Sequence, residues 1–184
     1  MSLGINTDME TLQAIQSRRS VRAFSEEPIQ EESLRQILGA ATSAASGGNV
    51  QPWGFVVVRN PRRLHALRAL APGIIGQPTA LVAICLDSQR AERLGGALGP
   101  KLAWIDIGLA TQNLLLAAHD LELGACPVGS FHGQAVALFL DLPSHIRPVL
   151  LIALGHPQAK PAFPGRRPLM EVCFAEQWGE PYEY

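Results

Sequence analysis

The segment Lys101–His119 limits the fold more than any other stretch of this chain. Its apolar residues, among them Leu102, Trp104, Ile105, Ile107, Leu109, Leu114, Leu115 and Leu116, are spread almost all round a helix and do not form one stripe. In water such a helix must be covered on several sides, by the core or by a second subunit. Asp106, Gln112 and Asn113 interrupt the run, and their burial in hydrocarbon would cost several kcal/mol, so the segment is not read as a membrane span.

At 184 residues, 47% of them apolar, the chain can bury one good core and is too short for two. A single domain over residues 1–184 is therefore expected. The formal charge is −1 with acids and bases scattered throughout, which leaves no footprint for nucleic acid or an anionic membrane. Cys85, Cys126 and Cys173 are odd in number, far apart and free of CxxC spacing, so neither a disulfide framework nor a zinc site is indicated. No basic n-region followed by an apolar h-region opens the chain, and reduced thiols complete the expectation of a cytoplasmic protein without a secretory signal.

Periodicity supplies the elements to pack around the apolar helix. A helix is predicted over about Asp8–Ser17, with Met9, Leu12 and Ile15 at helical spacing and Asp8 as its cap. A second is predicted over Glu31–Ala44, with two acids in its first turn and a stripe of Leu34, Ile37, Leu38 and Ala41. Phe55–Val58, Ala80–Leu86, Ala125–Val128 and Val149–Leu154 read as strands, and Pro61–Leu70 and Gln134–Leu140 as short helices. Strands mixed with helices indicate an α/β or α+β fold. Beyond Gly155 comes a Pro-rich tail carrying Phe163, Leu169, Val172, Phe174 and Trp178, an arm that needs a surface to lie on.

Two segments carry candidate chemistry. Arg18-Arg19-Ser20-Val21-Arg22 places three guanidinium groups and a hydroxyl within a short length of chain, the residue types that bind phosphate; alone it reads equally as a solvated basic end of a helix. Ser43-Ala44-Ala45-Ser46-Gly47-Gly48-Asn49-Val50-Gln51-Pro52-Trp53 joins small residues, which let backbone approach a flat ring, to amides that can pair with a ring edge. Its alternative is a helix C-cap and a turn before a strand. The Gly95–Pro100 run lacks the flanking elements of a nucleotide loop, and the five histidines show no metal spacing. Cys126 is read as a small buried hydrophobe.

Taken together, RRSVR-x-F (Arg18–Phe24) followed by a helix and S-x-x-N-x-Q-P-W (Ser46–Trp53) resembles the nitroreductase family of FMN enzymes. The likeness extends to Leu121-Glu122-Leu123-Gly124, Pro127-Val128-Gly129-Ser130-Phe131, Leu154-Gly155-His156-Pro157 and Arg166-Arg167-Pro168-Leu169, in that order along the chain. The resemblance implies an α+β fold with a central, mainly antiparallel sheet flanked by helices, in an intertwined homodimer. Residues 156–184 would be a C-terminal arm wrapping the partner.

It further implies that Arg18, Arg19, Ser20 and Arg22 face the phosphate and polar edge of FMN, with Arg166 joining Arg18 at the phosphate. Ser46 and Asn49 would reach the flavin of the neighbouring subunit, and the backbone at Pro127, Val128 and Gly129 would approach the ring. The implied activity is reduction of FMN by NADH or NADPH and its reoxidation by a nitroaromatic, quinone or similar acceptor in a ping-pong cycle, with no side chain needed as acid or base. Other uses of the same fold are dehalogenation, flavin breakdown, dehydrogenation, or binding of flavin without turnover. Two departures stand out. Ala45 replaces the usual Pro before Ser46, and the Asp87–Pro100 segment is too short for the substrate-covering insertion of larger relatives.

Overall fold

The second strand is the centre of the molecule. In the computed structural model, which describes residues 10–182, Ala80–Asp87 (β2) is buried along nearly its whole length. It pairs antiparallel with Trp53–Val58 (β1) on one side and Ile146–Gly155 (β4) on the other. Gly124–Val128 (β3) pairs antiparallel with β4, giving the order β1-β2-β4-β3. The mainly antiparallel sheet implied by the resemblance is present. The register of β2 against β4 shifts between Ile84 and Cys85, where Pro148, lacking an amide hydrogen, pairs with Cys85. A bulge is where a sheet tolerates proline.

Successive residues of β2 and β4 feed two separate cores. Val82, Ile84, Ile152 and Leu154 pack with Leu34 and Ile37 of Glu31–Thr42 (α2) and with Ile107 and Leu114 of Gly99–Asp120 (α5). Leu81, Ala83, Leu151 and Ala153 point the other way, against Leu64 and Leu67 of Pro61–Ala69 (α3) and Val136 of Gly133–Phe139 (α6). Covering both faces explains why these antiparallel strands read as continuous apolar runs rather than as alternation.

Thr11–Ser17 (α1) corresponds to the first predicted helix, whose proposed cap Asp8 and apolar Met9 lie outside the described residues. Its stripe does not face the core: Leu12 and Ile15 are exposed and Ala14 is its buried residue. Ser88–Gly95 (α4), for which the sequence reading gave no element, packs against α5 and begins with Asp87 accepting a hydrogen bond from the Arg90 amide at 2.8 Å.

The apolar helix α5 is half satisfied by its own chain. Ala103, Asp106, Ile107, Ala110, Thr111, Leu114, Leu115 and Ala118 are buried, whereas Trp104, Ile105 and Leu109 are exposed on a face shared with Gly108 and Gln112. The arm shows the same pattern. Past Pro161 it lies mostly in solvent, with Trp178 at 90% exposure, and folds on itself through a Phe174–Pro181 bridge and a Phe174–Trp178 ring contact at 4.6 Å.

Candidate active site

The basic segment is fixed to the sheet by two glycines. Gly124 and Gly155 face each other across β3 and β4. A Cβ on Gly124 would come within 2.7 Å of Val21, and one on Gly155 within 2.9 Å of Phe24. The slot left by the missing side chains receives these two apolar residues, both buried. The Val21 amide donates to the Ala125 carbonyl at 3.0 Å, and Ser20 bridges Ala125 in parallel. Segment 18–24 thus covers β3, which ends the sheet, at Gly124 and Ala125. Gly76, at φ +79°, completes the hold, since a Cβ there would overlap the Arg22 carbonyl.

Arg18 begins where α1 ends, its amide bonded to the Ala14 carbonyl at 3.0 Å. Its guanidinium is partly buried, and Nη1 is a buried donor with no hydrogen-bond partner. Burial first, then the positive charges of Arg166 and Arg19, hold Arg18 below the ordinary arginine range, with Cys126 acting in the opposite direction. Arg166 of the arm is therefore within electrostatic reach of Arg18. Phe163 lies between two cations, with the Arg19 guanidinium 4.4 Å and that of Arg166 5.4 Å from its ring centre.

Arg19 is turned onto its own helix end, donating from Nη1 to the carbonyls of Gln16 at 2.7 Å and Arg18 at 2.8 Å. Among the described residues, none of Arg18, Arg19, Arg22 and Arg166 is ion-paired with a carboxylate. A buried donor without a partner is costly, and like charges held close together add to that cost. A bound anion removes both costs. The orphaned Arg18 Nη1, with Arg166 beside it, is thus a donor set that fits the phosphate of FMN.

His119, near the end of α5, shares a 2.7 Å hydrogen bond with Ser17. Burial, followed by the charges of Arg18, Lys160 and Arg19, pushes its pKa down against the pull of Asp120. Cys126 is buried and its thiol is pushed up by burial, against Arg22 and Arg18, which matches its reading as a core residue. At the 127–129 turn, Pro127 is half-buried, Val128 buried and Gly129 exposed, with no neighbour closer than 4.0 Å to where its Cβ would stand.

The second predicted segment is anchored elsewhere. Ser46 Oγ accepts from the Gln51 amide at 3.0 Å, and the Gly47 amide donates to Asp106 Oδ1 at 3.1 Å. Asn49, exposed and at φ 56°, accepts from Gln51 Nε2 at 2.8 Å. Asp106 and His119 lie on the same helix thirteen residues apart, about 20 Å at the α-helical rise. Within one chain, then, Arg166 and Arg19 bear on Arg18, Ser20 and Arg22 stand against β3 at Ala125 and Cys126, and Ser46 and Asn49 lie by Asp106 at the other half of α5. Sequence reasoning missed Asp106, His119, Lys160 and Phe163 as parts of this arrangement. Asp106 alone carried a signal, as an acid inside an apolar helix.

A profile of the Nitroreductase family matches residues 15–92 and 67–156. An NADH dehydrogenase of Thermus thermophilus is 34% identical over 188 residues, covering 84% of this chain and 90% of that protein. An FMN reductase [NAD(P)H] of Bacillus subtilis is 29% identical, covering 92% and 74%. Among solved structures, nitroreductase A from Vibrio parahaemolyticus superposes with a TM-score of 0.83 at 28% identity, over 92% of this chain and 77% of that one.

Proposed function

Because the chain belongs to the nitroreductase family, we propose that it is an NAD(P)H-dependent FMN oxidoreductase whose flavin phosphate is held by Arg18 and Arg166. The unpartnered Arg18 Nη1 carries this reading. When bound, FMN supplies the two-electron chemistry that links oxidation of the nicotinamide to reduction of a small conjugated acceptor. The protein's own groups bind and bias. Ser20 would offer a hydroxyl beside the phosphate donors, and Arg22 would supply a cation to offset negative charge on the bound flavin, as an oxyanion hole does. Gly129 leaves backbone free to approach a planar ring.

The site is completed by a second copy. Ser46 and Asn49 of the partner subunit would supply the polar groups that one chain holds by Asp106, at the other half of α5 from His119. Three exposed apolar surfaces support a homodimer: the Trp104, Ile105 and Leu109 face of α5, Leu12 and Ile15 of α1, and the arm with Trp178. We assign residues 156–184 to wrapping the partner. No helix among the described residues is long and apolar enough to cross a membrane, and three free thiols support a reducing, cytoplasmic setting.

The 87–100 segment forms α4 and a short 3-10 turn against α5 and the Ser46–Asn49 loop. It supports an uncovered site that accepts nitroaromatics or quinones. Steady-state oxidation of NADH and NADPH by the FMN-loaded protein with a simple quinone tests this: sustained turnover is expected. A bound flavin that neither nicotinamide can reduce would instead point to a specialised reaction of the same fold.

A further inference from the structure

A second cavity lies away from the arginine cluster, between α3 and the approach to β2. It has a volume of about 560 Å³ and shares no residue with the proposed flavin site. Four buried side-chain polar atoms lack partners among the described residues, and two of them, Arg68 Nε and Thr79 Oγ1, belong to residues lining this one cavity. Folded proteins seldom leave such atoms unpaired without a ligand or water to satisfy them. From this coincidence we propose that the cavity is a binding site for a small organic monocarboxylate with a flat apolar body.

The charges select the class. Arg59 also lines the cavity but is already engaged, donating to Glu31 Oε2 at 2.5 Å and to the Ile29 carbonyl at 2.7 Å. Arg68 is left as the available guanidinium, and it suits a carboxylate bidentately. Thr79 Oγ1 adds a hydroxyl. Glu26, in the same lining and without an ion pair among the described residues, opposes a second negative charge, so a monoanion is favoured over a phosphate dianion. Pro28, Pro61, Pro78 and Leu64 form apolar walls for the body of the ligand. Three of the four are prolines, whose fixed φ keeps the walls formed before the ligand arrives. His65 stands in the lining on an exposed position of α3, where its ring reports occupancy.

The test uses the FMN-loaded protein and benzoate, with the His65 ring resonances, identified with His65→Gln, as a local readout. Benzoate is expected to shift them saturably, while benzamide and inorganic phosphate at equal concentration do not. Arg68→Gln should weaken the response by about tenfold or more, the usual loss for a charged hydrogen-bonding group. Thr79→Val should weaken it less, and Arg62→Gln, on an exposed position of the same helix, should leave it unchanged. Retained FMN shows that each variant is folded. Benzoate that leaves His65 unmoved, benzamide or phosphate that acts equally well, or Arg68→Gln and Thr79→Val that both respond like the wild type would each overturn the proposal and leave a water-filled cavity.

Discussion

Arg18 concentrates the account at the scale of single residues. It is the one guanidinium of the cluster with a buried, unpartnered nitrogen, and Arg166 and Arg19 bear on it electrostatically. If Arg18 and Arg166 hold the phosphate as proposed, replacing either by alanine should cost about 1.5–3 kcal/mol, or about ten- to a hundredfold in FMN affinity. Fluorescence titration of FMN against each variant measures it, with melting curves to show that the fold persists. His119 gives a pH dependence. Its folded pKa lies below the ordinary value of about 6.5, so the folded state binds fewer protons than the unfolded chain as pH falls through that range, and stability falls with it. Without FMN, the protein should lose melting temperature as pH drops below about 6.5, and His119→Gln should lose less; equal slopes would contradict this. The cluster was legible as Arg18–Arg22 because three arginines stand together. Phe163 and Lys160 were not, since one aromatic and one lysine in a Pro-rich tail carry no spacing that ties them to a segment far away in sequence.

Elements hold the two halves of the site apart. The Ser46–Asn49 loop depends on Asp106, which is 4% exposed and accepts the Gly47 amide. Asp106→Ala should loosen the loop and destabilise the fold by about 1.5–3 kcal/mol, read from chemical denaturation. Its effect on FMN affinity should be felt only in the dimer. Gly155→Leu should be more damaging to binding, because its side chain would displace Phe24 and with it the arginine segment. The strands were legible from short β-branched apolar runs, although the sheet is antiparallel, because both its faces are covered. The α4 helix was not: its mostly polar residues bury little beyond Ala91. The stripe on α1 was seen, but its target was not, because amphipathicity says that a face wants cover and not which chain covers it.

At the scale of the whole molecule, one chain leaves a broad apolar surface open, as the proposed homodimer requires. The exposed half of α5 and the arm are surfaces of the kind that stable homodimers bury. Leu109→Asp, placed on the exposed face of α5, should shift the protein from dimer to monomer in sedimentation analysis and lower FMN occupancy with it. The reading of Lys101–His119 as a helix covered on several sides therefore accounts for one half of its circumference within the chain and predicts a second copy for the other. The most direct test of the central claim is a titration of the FMN-loaded dimer with NADH or NADPH under argon, followed by a quinone. The visible flavin band should bleach with one equivalent of nicotinamide per flavin and return on adding the quinone. Protein that takes up no FMN, or bound flavin whose band neither nicotinamide bleaches, would contradict it.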